Sequence, residues 1–417
     1  MIYQQKLTNC FKEIIGSQGI DKAVFEKTRK EFAKFFIKLK EQNLNLFNFS
    51  DVNNKLKAVD LIIKTMPINI NKLYVLGTGG ASLTGQTICG IGDNENSQKK
   101  VYFIDNVDPK TINKITTGFD YKNSMVLVIS KSGGTIETVA QFILFLKLYL
   151  KKLPKNKIRN HFRIISETRS ENTIKKLADE FNINIFQHED VGGRFSIFST
   201  IALVPAKFMG LDIKKFLKGA KNIYEKSYSQ AIEGAALNAC FTEKNLSNSV
   251  LMPYAECLKN FTVWWCQIWA ESLGKTDKAI TPIRSLGTID QHSQLQLYLE
   301  GKKDKLFTII VNKENVKSET LTLDKITFEG IDFLKNKKMQ NIMQAAAYST
   351  IETIASNKLP VRSIEIEKMN EETLGALAIH FILETVLMAK YLKINAYDQP
   401  AVEQGKKIAI KMLKGKK

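Results

Sequence analysis

The chain has 417 residues, 44% apolar and 25% charged, with 61 Lys plus Arg against 42 Asp plus Glu, a formal charge of 61 − 42 = +19. This composition excludes a disordered chain, a collagen and a coiled-coil rod, and the length suggests two or three domains that fold without disulfide or metal staples. No uninterrupted apolar run reaches the roughly 18 residues of a spanning helix, and no basic, then apolar, then small-residue leader opens the chain, so neither a membrane partner nor export is expected.

The first stretch reads as helix, because FKEIIG and AVFEKTRKEFAKFFIKLKEQ place apolar residues at i, i+3 and i+4. Asn and Ser accumulate next in NLFNFSDVNN, as in a linker. Short apolar strands follow at 73–77, 101–105, 125–130, 161–166 and 182–186, separated by helical stretches such as 135–153 and ENTIKKLADEF. Strands alternating with helices predict a parallel sheet covered on both faces. A second block opens with helices, IKKFLKGAKNIYEK, QAIEGAALNACFTEK and YAECLKNFTVWWCQIWAESLG. It regains strands at 305–312 and 362–368, with helices near 338–356 and 371–392, and closes on a turn and a helix, AYDQPAVEQGKKIAIKML. The expected organisation is a helical segment at 1–45, α/β domains at 46–208 and 209–393, and a helical tail at 394–417.

The lysines are spread along the chain and gather only in the terminal KGKK, which favours a compositional bias over a nucleic-acid partner. A moderate positive field would still draw in a phosphorylated substrate. Cys10, Cys89, Cys240, Cys257 and Cys266 are odd in number and none form CxxC. No disulfide framework or zinc site follows, and a cytoplasmic location fits.

Six segments could carry chemistry. LGTGGASLTG (76–85) is a Gly-rich turn between strand and helix, with Gly80 and Ser82 placed to meet an anion. Ser82 stands where GxGxxG needs its third glycine, which argues against a dinucleotide despite Asp105 at the end of the next strand. SKSGGTIET (130–138) follows a strand and opens a helix. Ser130, Ser132 and Thr135 offer hydroxyls and the glycines leave amides open, enough to surround one phosphate. Its ordinary alternative is a capped helix start, with Thr135 and Thr138 as capping groups. GGRFSIFS (192–199) turns sharply at Gly193 and projects Arg194, suited to an oxyanion. WWCQIWAESLGK (264–275) sets Gln267 and Glu271 on one helical face among three tryptophans that would shield the carboxylate, as a general base requires. His292, beside Asp290 and Gln291, suits a proton shuttle or a satisfied structural role. In YDQPAVEQGKK, Asp398 reads as a helix cap with Pro400 in the first turn, and Lys406 follows two turns on.

In order and wording, the six segments together resemble the glucose-6-phosphate isomerase family of the sugar-isomerase-domain superfamily. The match runs from Gly77 to Lys407 through GGRFS, QIWAESLGK, IDQHSQLQLYLEG and DQPAVEQGK, with SKSGGTIET as the looser mark. The resemblance implies an α/β fold of two sugar-isomerase-type domains, each a mostly parallel sheet flanked by helices, with helical extensions at both ends. It implies a homodimer acting on hexose 6-phosphates, with no metal and no nucleotide cofactor. Ser130, Ser132, Thr135 and the Lys131 amide would hold the phosphate, while Gln267 and Gln399 line the sugar site. Glu271 would move a proton between C1 and C2, and Arg194, after Gly193, would stabilise the enediolate. His292, reaching in from the partner subunit, and Lys406 would open the sugar ring. Ala81 stands where the family usually has serine, Gly134 where threonine is frequent and Ala401 where glycine is usual. Either Ser82 or a backbone amide compensates for Ala81, or substrate affinity falls. The alternatives are an isomerase that also takes mannose 6-phosphate and a non-catalytic sugar-phosphate sensor; the latter needs no Glu271, His292 and Lys406 set.

Overall fold

A computed structural model describes residues 2–92, 97–169, 171–323 and 330–415. Its described strands are β1 (Tyr3–Lys6), β2 (Lys72–Leu76), β3 (Lys100–Ile104), β4 (Ser124–Ser130), β5 (Phe162–Ser166), β6 (Ile185–Gln187), β7 (Asn248–Tyr254), β8 (Thr281–Arg284), β9 (Lys305–Asn312) and β10 (Val361–Ile366). They form two five-stranded sheets, ordered β3-β2-β4-β5-β6 and β1-β10-β9-β7-β8. The first is wholly parallel. Its central strand β4 is buried along its length, as the unbroken run SMVLVIS requires of a strand covered on both faces. The second is parallel except for β1, which lies antiparallel on β10. The fold is therefore the α/β class of parallel sheets flanked by helices.

Helix α1 (Lys22–Glu41) starts where Asp21 accepts from the amides of Ala23 and Val24. Four more helices position the site: α2 (Gly80–Cys89), α3 (Ile136–Leu150), α4 (Lys259–Leu273) and α5 (Glu371–Tyr391). By length and composition α5 could cross a membrane, but 94% of its apolar window is buried in this protein, so it acts as a core helix. One apolar core runs from Leu73, Val75 and Leu127 of the first sheet, through Trp264, Trp265 and α5, to Ile310 and Ile364 of the second. That shared core sets the two sheets against each other, and the cleft described below lies at their junction.

Four strands depart from the sequence reading. The opening residues are not all helical: Tyr3–Lys6 is a strand, held because the Tyr3 hydroxyl reaches His380 Nδ1 at 2.6 Å and Arg362 donates to Gln5 Oε1 at 2.9 Å. Tyr254 does not open a helix but ends β7, and α4 begins only at Lys259. Strand β8 carries Pro282 and sits at the sheet edge, where a missing N–H is tolerated. The strand expected at 182–186 starts later, because Asn182 adopts a left-handed conformation (φ 52°) in the turn after helix Thr173–Glu180. The last described helix, α6 (Glu403–Leu413), has no buried residue, and Ile408, Ile410, Met412 and Leu413 stay exposed. The last two residues of the KGKK tail lie outside the described residues.

Candidate active site

Every loop of the first sheet that reaches the cleft leaves the carboxyl end of a parallel strand, the usual place for a ligand in such a sheet. Thr78–Ala81 follow β2, Ser130–Thr135 follow β4, Glu167 follows β5, and Gly192–Arg194 lie beyond β6. The cleft holds about 740 Å³ and is closed on its other side by Gln267 and Glu271 of α4, and by Tyr397, Gln399 and Lys406.

At one end is an anion-binding loop. Ser130 Oγ and Thr135 Oγ1 lie 3.4 Å apart, and the Gly134 amide donates to Ser132 Oγ at 3.4 Å. Thr135 occupies the cap position of α3 but makes no side-chain capping bond, which removes the ordinary capping explanation and leaves hydroxyls and amides facing the cleft. Thr138, on the first turn, is 1% exposed and its hydroxyl has no hydrogen-bond partner among the described residues. The Lys131 ammonium reaches away to Asp190 Oδ1 and the Val191 carbonyl, at 3.3 and 3.2 Å.

At the other end Arg194 is the hub. Its Nη1 donates to Glu271 Oε2 at 3.0 Å and to Gln399 Oε1 at 2.6 Å, and its Nε to Ser272 Oγ at 2.9 Å. Its Nη2 donates to the carbonyls of Ala396 and Asp398, at 2.7 and 2.9 Å. Burial pulls the guanidinium below its ordinary pKa, while Glu271 and Asp398 oppose that shift. Gln267 Nε2 donates to the second Glu271 oxygen at 2.9 Å, and Gln267 Oε1 is buried with no hydrogen-bond partner among the described residues. The tryptophans do not wall the carboxylate as expected. Trp264 donates to the Arg194 carbonyl and Trp269 to that of Ile280, and none of the three lines the cleft. The Trp264 indole fixes the Arg194 backbone instead.

The turn after β2 and the arginine turn touch backbone to backbone. A Cβ at Gly80 would lie 2.1 Å from the Gly193 carbonyl carbon, so the turn after β2 and the arginine turn can meet only through glycine.

Of the residues singled out by sequence, Gly80, Ser130, Lys131, Ser132, Thr135, Gly193, Arg194, Gln267, Glu271, Gln399 and Lys406 share this cleft. Ser82 does not: it is fully buried, and its hydroxyl accepts from Gln86 Nε2 at 2.8 Å, so it cannot replace the hydroxyl lost at Ala81, which does line the cleft. His292 is exposed on the short helix Ile289–Ser293 and stands outside its own chain's cleft. Lys406 pairs with Glu403 at 2.7 Å. Glu167 and His188 also line the cleft, and no motif pointed to them; Tyr397, which opens YDQPAVEQGKK without a role of its own there, lines it too. His188 is held by its Nδ1 against the Glu189 carbonyl at 2.5 Å, and burial lowers its pKa, favouring the neutral ring.

A doubly wound sheet with an anion loop and an arginine turn at its strand ends, facing a glutamate carried by a helix of the second sheet's half, defines a protein of the sugar-isomerase fold class. The sequence model of the family described as "Phosphoglucose isomerase" matches residues 49–417, and the chain belongs to that family. It is 34% identical over 427 residues to a probable glucose-6-phosphate isomerase of Methanococcus maripaludis, covering 99% of this chain and 94% of the relative. It is 33% identical to the glucose-6-phosphate isomerase of Campylobacter jejuni, over 81% of this chain and 84% of that one. Among solved structures, a hypothetical protein of Thermus thermophilus superposes with a TM-score of 0.84 at 26% identity, covering 99% of both chains. A glucose-6-phosphate isomerase of Chlamydia trachomatis shares the fold, with a TM-score of 0.72 at 21% identity over 87% of this chain and 73% of that one.

Proposed function

We propose that this protein interconverts glucose 6-phosphate and fructose 6-phosphate. The observation that carries this reading is the 3.0 Å contact between Arg194 and Glu271 in the same cleft as the hydroxyl-rich loop after β4. The phosphate binds at Ser130, Ser132 and Thr135, with the Lys131 amide and the positive end of α3, and supplies positioning without reacting. Glu271 removes the proton from one of C1 and C2 and returns it to the other. Arg194, already aimed at that carboxylate, neutralises the enediolate oxygen between the two steps. Gly80, Gln267 and Gln399 line the sugar, and Lys406 with the partner subunit's His292 opens the ring. No residue in this scheme calls for a metal or a nucleotide.

The dimer is part of the proposal. His292 is exposed and outside its own cleft, and α6 leaves Ile408, Ile410, Met412 and Leu413 exposed on this chain. Both features suit a second copy lying across the cleft. Residues 46–208 and 209–393 are read as the two domains, and the five free cysteines suit a reducing cytoplasm.

Purified protein given fructose 6-phosphate should form glucose 6-phosphate without added metal or nucleotide. No product under those conditions would remove the reading. Mannose 6-phosphate in the same assay tests for the broader isomerase, and sedimentation tests for the dimer.

A further inference from the structure

The chain between α5 and α6 must bring Gln399 and Lys406 to the cleft, yet little holds it there. Within residues 392–399 only Ala396 is buried, and α6 beyond it has no buried residue on this chain. Two cations fasten the segment. One is Arg194, which belongs to the reacting end. The other is Lys275, just past the Gly274 cap of α4 and outside the cleft. Its ammonium donates to Asp398 Oδ1 at 2.7 Å and to the Asn395 carbonyl, and its side chain is 17% exposed. The turn it grips is shaped by the Tyr397 amide donating to Asn395 Oδ1 at 2.9 Å, with the Tyr397 ring 5.7 Å from that of Phe195. The Lys275 hydrogen bond also holds the Asp398 carboxyl below the usual carboxylate range. Lys275 thus does not cap its own helix, the ordinary role for a lysine at a helix end. It ties the helix that carries Glu271 to the segment that carries Gln399 and Lys406.

We infer that Lys275 is a positioning residue for the reaction: by clamping Asn395 and Asp398 it sets Gln399 and Lys406 in register with Glu271. This rests on the function proposed above. The base and the ring-opening lysine sit on different elements, and this ion pair is the direct link between those elements that leaves Arg194 free for the enediolate.

The test uses the full-length protein with Lys275→Ala, Lys275→Arg and Asp398→Asn. Lys275→Ala should lower kcat on fructose 6-phosphate by about 10- to 100-fold, the scale of a small misplacement of reacting groups. The inhibition constant of inorganic phosphate should shift by no more than about twofold, since the anion loop lies on β4. Lys275→Arg should recover most of kcat, and the Lys275→Ala, Asp398→Asn double variant should be no worse than Lys275→Ala alone. Amide hydrogen exchange across 395–406 should quicken in Lys275→Ala and stay unchanged across 136–150. Normal kcat in Lys275→Ala, or a matching loss of phosphate affinity without rescue by arginine, would overturn the inference. If the unsubstituted protein does not turn over fructose 6-phosphate, the proposed function fails, and exchange across 395–406 decides the clamp by itself: unchanged exchange ends it.

Discussion

Two arginine–glutamate pairs, one bridging the two halves of the protein and one inside the second, use the same groups for opposite ends. Arg194 and Arg362 both have side chains only 2% exposed. The Glu271 side chain is 33% exposed and turns an edge to the cleft, whereas that of Glu384 is 0% exposed. Arg362 holds both Glu384 oxygens, at 2.5 and 2.9 Å, and His380 Nε2 adds a third bond at 2.7 Å. The Tyr3 hydroxyl closes the set on His380 Nδ1, so the imidazole is the neutral tautomer that accepts from Tyr3 and donates to Glu384. Burial pushes Glu384 up, but Arg362 and His380 more than reverse it and hold it at about 2. The pair alone does not make a base. What matters is whether the carboxylate keeps a face that a substrate can reach.

The sharpest way to break the comparison is Glu271→Gln. It should cost about 10²- to 10⁴-fold in turnover, the range for a general base, and lower the melting temperature less than loss of Arg362 does, because Glu271 is part-exposed and Arg194 keeps its carbonyl acceptors. Arg362→Ala should do the reverse. A buried carboxylate left alone costs about 3–5 kcal/mol, read by urea unfolding, while kcat per folded molecule is retained. Arg194→Ala falls between them, raising the activation barrier by about 2–4 kcal/mol, as loss of an oxyanion donor does. Enzyme assay beside a thermal melt separates that from unfolding.

The smallest effect is in acid. The Glu384 pKa is about 2 when folded against an ordinary 4.5, so its contribution is full above the ordinary value. It drains away as pH falls from there toward 2. Glu384→Gln should therefore flatten the acid limb of stability against pH, and an unchanged slope would count against the assignment.

Much of this was legible in the sequence where the signal is local. The strands ending at Leu76, Ile104 and Ser130 are short apolar runs, and SKSGGTIET sits next to the strand that presents it. At the reacting end Arg194 and Glu271 could be singled out one by one, but that they meet was legible only through the family resemblance. Residues 194, 271 and 399 share no periodicity, and their meeting depends on how α4 packs against the arginine turn. Polar or proline-bearing strands escaped for a related reason. YQQK has no apolar alternation, and its pairing is fixed by His380 and Arg362, more than 350 positions away. Pro253 and Pro282 disguise β7 and β8. Ser82 misled because a hydroxyl after two glycines looks like a ligand group, while on the helix it faces Gln86.

The glycine contact between residues 80 and 193 leaves no slack in the cleft wall beside Arg194. Any side chain larger than hydrogen at residue 80 would press on the peptide that carries the arginine, so the cation that meets Glu271 is seated by backbone against backbone, not by a flexible arm.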